Sequence, residues 1–242
     1  SDIYVNTATL TKESIMKKSV LLQSIAVSLL AGKALAAPAS LTVNVKGIEE
    51  GKPIPAQFAY CVPDGRGKSK GGSNINPEIS WSGAPEGVKS YALIMVDTEV
   101  PAKFDDANQE GKTIAADFPR QDFYHWVLVN VPSSVTKIAE GQDSKGTPEG
   151  GKPVGKTAYG MNVKNDYAKV YPGSFGGYDG PCPPWNDLRM HQYHFNVYAL
   201  NVESVSIADT AGGADVMKAI TPHIIAQGKI TGTYTQNVSL LK

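Results

Sequence analysis

From residue 41 onward, apolar and polar positions alternate. Leu41, Val43 and Val45 are interleaved with Thr42, Asn44 and Lys46, the period-two signature of a strand with one buried face. The same logic predicts strands over residues 56–60, 78–82, 90–97, 124–131, 193–201 and 229–236. The run Tyr91-Ala92-Leu93-Ile94-Met95-Val96 is continuously apolar, as expected of a central strand covered on both faces. Turn chemistry separates the runs: Pro63-Asp64-Gly65, Gly71-Gly72-Ser73-Asn74, Gly83-Ala84-Pro85 and the glycine-rich stretch 173–180. Many short strands punctuated in this way predict a mainly β chain, an antiparallel sandwich or barrel. One short C-terminal helical segment is expected, because Val216, Met217, Ile220, Ile224 and Ile225 follow helical spacing and Gly228 would stop it. Pro222 inside that pattern should kink the helix or start a second short one. The stretches 102–123 and 139–179 carry little strand pattern, and loops of that length in a compact domain usually serve function or are disordered.

Ahead of the strands lies an address. Met16-Lys17-Lys18 is a basic start, residues 19–31 are mostly apolar, and Ala34-Leu35-Ala36 offers small residues to a signal peptidase. Residues 16–36 therefore read as a signal peptide, leaving a domain over 37–242 in the periplasm or secreted, with no membrane span after cleavage. The apolar run is shorter than the ~20 residues of a spanning helix. Residues 1–15 precede Met16 and read as upstream reading frame or an expression remnant. Apolar residues at 41% allow a sizeable core, and charged residues at 19% argue against a mainly disordered chain. A formal net charge of zero gives no electrostatic footprint for nucleic acid. Two cysteines, Cys61 and Cys182, permit one disulfide in an exported chain, though spacing does not show whether they meet.

The chemistry-bearing residues lie far apart. Asp97 ends the most apolar run, where it could cap a turn or serve a site. His125 opens the next strand, and alternation places it with Val127, Val129 and Val131, opposite Trp126 and Leu128. Gly176-Gly177-Tyr178-Asp179-Gly180-Pro181-Cys182-Pro183-Pro184 combines glycines that let amides approach a ligand with prolines that stiffen the loop. In the strand that follows, His191, Tyr193 and Phe195 share one face and His194 the other, so His191 and Tyr193 can enter one pocket. His223 reads as surface or packing.

These segments, with Asn76-Pro77-Glu78-Ile79-Ser80-Trp81 and His125-Trp126-Val127-Leu128-Val129-Asn130, occur in the order of a known family. The chain resembles the phosphatidylethanolamine-binding protein family, most closely its bacterial Raf-kinase-inhibitor-like branch, over roughly residues 41–236. The resemblance implies an antiparallel β-sandwich with a small anion pocket at one end, a binding protein rather than an enzyme, and no cofactor or required metal. It implies that Asp97, His125, His191 and Tyr193 form the pocket, that Pro101, Gly180, Pro183 and Pro184 form its wall, and that Phe123 closes its mouth. Glu99 stands in place of a second aspartate. The chain departs from the family's Asp-Pro-Asp-Ala-Pro at Asp97-Thr98-Glu99-Val100-Pro101 and carries Gln192 where an arginine is common. Residues 102–123 form a longer segment than bacterial relatives carry, read as a lid.

Two imidazoles and a phenol can donate hydrogen bonds to phosphate or carboxylate oxygens, more strongly if a ring is protonated. Asp97 beside them should raise a histidine pKa and orient a ring. The expected ligand is a small anion such as phosphate or a phospholipid head group. Three rival readings use the same chain. Two His and one Asp could hold zinc or iron, although no His-x-Glu-x-His spacing exists. Cys182 near His191 could form a hydrolase dyad, although it lies between prolines, and Gly173-Ser174-Phe175-Gly176 lacks the full Gly-x-Ser-x-Gly elbow. An interaction module acting on a partner protein is the third.

Overall fold

The structure is a computed structural model that describes residues 38–241. The upstream segment 1–15 and the signal peptide 16–36 lie outside the described residues. The described chain forms β1 (Ala39–Ser40), β2 (Thr42–Val45), β3 (Cys61–Pro63), β4 (Ser69–Gly71), β5 (Ile79–Ser82), β6 (Ser90–Pro101), β7 (Arg120–Pro132), β8 (Lys137–Ile138), β9 (Gly155–Thr157) and β10 (Gly160–Asn162). It continues with β11 (His191–Leu200), helix α1 (Gly213–Ile220) and β12 (Ile224–Tyr234).

The main sheet has seven strands in the order β1-β12-β11-β6-β7-β10-β9, with only the short β1 pairing parallel. β6 lies at its centre, as its unbroken apolar run requires. On one face packs the three-stranded sheet β2-β5-β8: Leu41, Val45, Ile79, Trp81 and Ile138 meet Leu93, Met95, Trp126, Leu128, Phe195 and Val197. On the other face α1 lays Val216 and Ile220 over Ala92, Ile94, Val127 and Val129. The protein is thus a β-sandwich with one helix on its outer face.

Three local expectations are corrected. Residues 56–60 are not a strand: Ala56–Phe58 is a 3-10 turn. Pro55 precedes it, the Tyr178 hydroxyl donates to the Phe58 carbonyl at 2.5 Å, and no strand pairs with it among the described residues. The helical spacing does not run to Ile225, because α1 stops at Ile220 and Pro222 starts a second short 3-10 turn over Thr221–His223. Ile224 and Ile225 begin β12, and Gly228 lies inside that strand, where a Cβ would come within 2.2 Å of the Leu41 carbonyl oxygen. Finally, β7 does not alternate strictly. Met95 pairs with Trp126 and Val96 with Tyr124, leaving His125 as an extra residue in a bulge. A second irregularity at Asn130 (φ 54°) precedes Val131, which joins Trp126 and Leu128 in the inter-sheet core while Val127 and Val129 face α1.

Candidate functional site

Register brings the distant residues together. Tyr193 on β11 is paired with Asp97 on β6, which is paired with Phe123 on β7, so the three stand in a row across adjacent strands. The bulge adds His125 beside them: its ring centroid lies 5.2 Å from that of Tyr193 and 5.0 Å from that of Phe123. His191, two residues before Tyr193, completes the cluster, while His194 faces away and hydrogen-bonds Thr231 at 2.8 Å. Asp97, His125, His191, Tyr193 and Phe123 line one cavity of ≈ 110 Å³. Pro183, Pro184 and Cys182 form one wall, and Val100, Tyr167, Val170 and Tyr171 contribute others. That volume suits a head-group-sized ligand and falls short of the ~300–1,000 Å³ of drug-sized sites.

Two expected wall residues stand behind the cavity. Pro101 pairs with Arg120 at the strand ends. Gly180 packs so tightly that a Cβ would come within 1.9 Å of the Phe58 carbonyl oxygen. The loop amides of Gly176, Asp179 and Gly180 are likewise committed inside the protein. Asp179 N–H donates to the His125 carbonyl (3.0 Å), Gly180 N–H to Asn74 Oδ1 (2.8 Å) and Gly176 N–H to the Lys152 carbonyl (2.8 Å). Of the expected lid 102–123, residues 120–123 belong to β7 and the rest borders the cavity through Phe104, Ala107 and Asn108. They are fastened there. Asn108 N–H donates to Asn186 Oδ1 (2.9 Å), Trp185 N–H donates to Asn108 Oδ1 (3.0 Å), and Asn186 Nδ2 reaches the Asp106 carbonyl (2.8 Å).

The two histidines hold opposite electrostatic positions. His191 is fully buried with a carboxylate on each nitrogen: Asp97 Oδ2 at 2.7 Å from Nδ1 and Asp187 Oδ2 at 3.1 Å from Nε2. Burial alone would lower its pKa, but Asp97 and Asp187 outweigh that and lift it to about 9. Its imidazolium therefore has no N–H left to donate to a ligand. Asp187 is anchored in turn by Arg120 (2.6 and 3.0 Å) and the Arg189 N–H (2.9 Å), and Glu99 pairs with Arg189 (2.7 Å).

His125 is held differently. Its Nδ1 lies 2.8 Å from the Asp179 carbonyl oxygen, which can only accept, so Nδ1 carries the proton. Nε2 takes no partner among the described residues, and His125 lines the cavity. Burial pushes its pKa below the ordinary value, against the opposing pull of Asp97 and other acids. The Asp179 side chain is itself locked by Asn74 Nδ2 (2.7 Å), Asn165 Nδ2 (2.7 Å) and Lys152. Beside His125, the Tyr193 hydroxyl is buried and without a hydrogen-bond partner. Burial, and then the charge and nearby acceptor oxygens of Asp97, raise its pKa well above the usual value, so it remains a donor with Asp97 as its neighbouring acceptor.

Asp187, Arg120, Asp179 and Tyr167 escaped the sequence reading. A signal existed for Asp187, four residues before His191, but residues 185–190 have no periodicity to say where it points. Cys61 and Cys182 form a disulfide with Cα atoms 4.7 Å apart, which removes the thiol that a hydrolase dyad would need. Among the described residues, no group of three or more His, Cys, Asp or Glu side chains is arranged to hold a metal ion.

A family model described as phosphatidylethanolamine-binding protein matches residues 44–235. A UPF0098 protein of Aquifex aeolicus is 32% identical over 202 residues, covering 82% of this chain and 98% of its own. The UPF0098 protein YbcL of Escherichia coli is 30% identical over 164 residues, covering 67% of this chain and 73% of its own. The crystal structure of E. coli YbcL, described as a new member of the mammalian PEBP family, superposes with a TM-score of 0.58 at 26% identity, over 81% of this chain and 99% of that one.

Proposed function

Given that the chain belongs to the phosphatidylethanolamine-binding protein family, we propose that it binds a small phosphate-like head group in the cavity between β6, β7 and β11. One observation carries this reading: the buried Tyr193 hydroxyl makes no hydrogen bond among the described residues, in a cavity it shares with the fixed side chains of Asp97 and His191. An orphaned buried hydroxyl costs about 1–3 kcal/mol, a cost that a ligand oxygen would relieve. Asp97, fixed by the Glu99 amide (2.8 Å) and by His191, keeps acceptor capacity for an ammonium or hydroxyl on the same ligand.

The protein acts in this reading as a binder and not a catalyst. The lining offers no free thiol, and neither His191 nitrogen is available to move a proton. Export to the periplasm or medium rests on the basic, apolar and Ala-x-Ala pattern of residues 16–36, and modulation of a partner protein on family likeness alone. Calorimetric titration of phosphoethanolamine into the protein and into Tyr193→Phe tests the binding. Saturable heat that weakens in the variant supports it, and no heat at millimolar ligand contradicts it. Phosphatase and esterase assays on the same protein should stay at background.

A further inference from the structure

The buried polar side chains of the cavity, Asp97, His125, His191 and Tyr193, are poor in donors, and the donors of Tyr171 and Asn108 belong to its exposed side. His191 spends both N–H groups on Asp97 and Asp187. His125 spends its Nδ1 proton on the Asp179 carbonyl, burial opposes a second proton on the ring, and Nε2 has no hydrogen-bond partner among the described residues on a side chain that lines the cavity. Asp97 contributes only acceptor oxygens, so Tyr193 O–H is the lone donor among these groups. A fully ionised oxyanion, which can only accept, would meet the lone pair of His125 and the charge of Asp97.

Building on the head-group reading, we infer that the pocket selects its ligand by a proton: it takes a phosphomonoester as the monoanion, whose remaining P–O–H donates to His125 Nε2 while another phosphoryl oxygen accepts from Tyr193. A sulfate monoester has the same shape and charge but no such proton, and is rejected.

The groups around His125 favour this arrangement over a protonated ring. Asp97 faces it from β6, and His191 and Tyr193 from β11. Asp166 and Tyr167 face it from the 3-10 turn Asp166–Lys169, and Asp179 from the glycine loop. The negative groups are largely offset: Asp166 pairs with Lys169 (2.9 Å), Asp179 with Lys152, and Asp97 with the His191 imidazolium. The net field drawing a second proton onto the deeply buried ring is therefore weak, and burial opposes it.

The test compares phosphoethanolamine with ethanolamine O-sulfate by calorimetry on the full chain at pH 5.5 and pH 8. A phosphomonoester loses its second proton near pH 6, so its affinity should fall by about 100-fold between these two conditions. The sulfate ester, leaving Nε2 unpaired, should bind about 10- to 100-fold more weakly than the phosphoester at pH 5.5. His125→Gln, which places a rotatable amide near the Nε2 position, should narrow that ratio, while Tyr193→Phe should weaken both esters alike. Equal binding of the two esters, or phosphoester affinity unchanged from pH 5.5 to pH 8, overturns the proton selection and leaves head-group binding intact. Failure of both esters at either pH overturns the head-group reading and this inference with it.

Discussion

At the scale of residues, the pair His125 and His191 shows how one fold gives two imidazoles opposite roles. His191 is a buried cation between two carboxylates, and His125 is a buried ring on a carbonyl, its pKa lowered by burial. Their linkage to stability has opposite sign. The raised pKa of His191 contributes stability that is fully present below the unfolded value near 6.5 and is lost as pH rises through about 9. The depressed pKa of His125 contributes stability present above about 6.5 and lost as pH falls. Urea midpoints measured from pH 5 to pH 10 should therefore peak in between, and His191→Asn should remove the alkaline decline. That variant leaves Asp97 and Asp187 facing each other across the gap, at an expected cost of about 3–5 kcal/mol at neutral pH. Tyr193→Phe should do the reverse. Deleting the orphaned hydroxyl should raise unfolding free energy by about 1 kcal/mol while weakening ligand binding. A Tyr193→Phe protein that is both less stable and unchanged in binding would mean the hydroxyl is a structural group.

At the scale of elements, the bulge in β7 and the loop behind it decide where His125 points. Alternation assigns that ring to the face of Val127 and Val129, and it lies instead beside Tyr193 because the strand carries one extra residue. A bulge leaves no mark in a hydrophobic pattern, because it is fixed by what bonds to the freed backbone. Here Asp179 grips both the carbonyl and the ring of His125. Strand existence was legible because β6, β7 and β11 are long and apolar, and the resemblance placed Asp97, His125, His191 and Tyr193 in one pocket. The charge partners Asp187, Arg120 and Lys152 were not legible, since they sit in irregular segments or at a strand end, where no period reports direction. Gly180→Ala checks the loop's role. Its Cβ would collide with the Phe58 carbonyl, so we expect a loss of about 1–3 kcal/mol in urea denaturation, with ligand affinity falling as Asp179 shifts.

At the scale of the whole molecule, the sandwich sets the long strands β6, β7 and β11 side by side and walls their shared end with loops from distant parts of the chain. The Cys61–Cys182 bridge ties the β3–β4 hairpin to that wall across 121 residues. Replacing both cysteines by alanine should lower stability by about 2–5 kcal/mol and loosen the wall, read as a lower thermal midpoint together with weaker ligand binding. The central claim, that His125, Tyr193 and Asp97 enclose a phosphate-sized site, is tested most directly by a crystal structure of the protein grown with phosphoethanolamine at acid pH. The account predicts phosphoryl density in the cavity with one oxygen on the Tyr193 hydroxyl and another on His125 Nε2. Ligand density elsewhere on the surface, or a cavity closed by repacked side chains at saturating ligand, would contradict it.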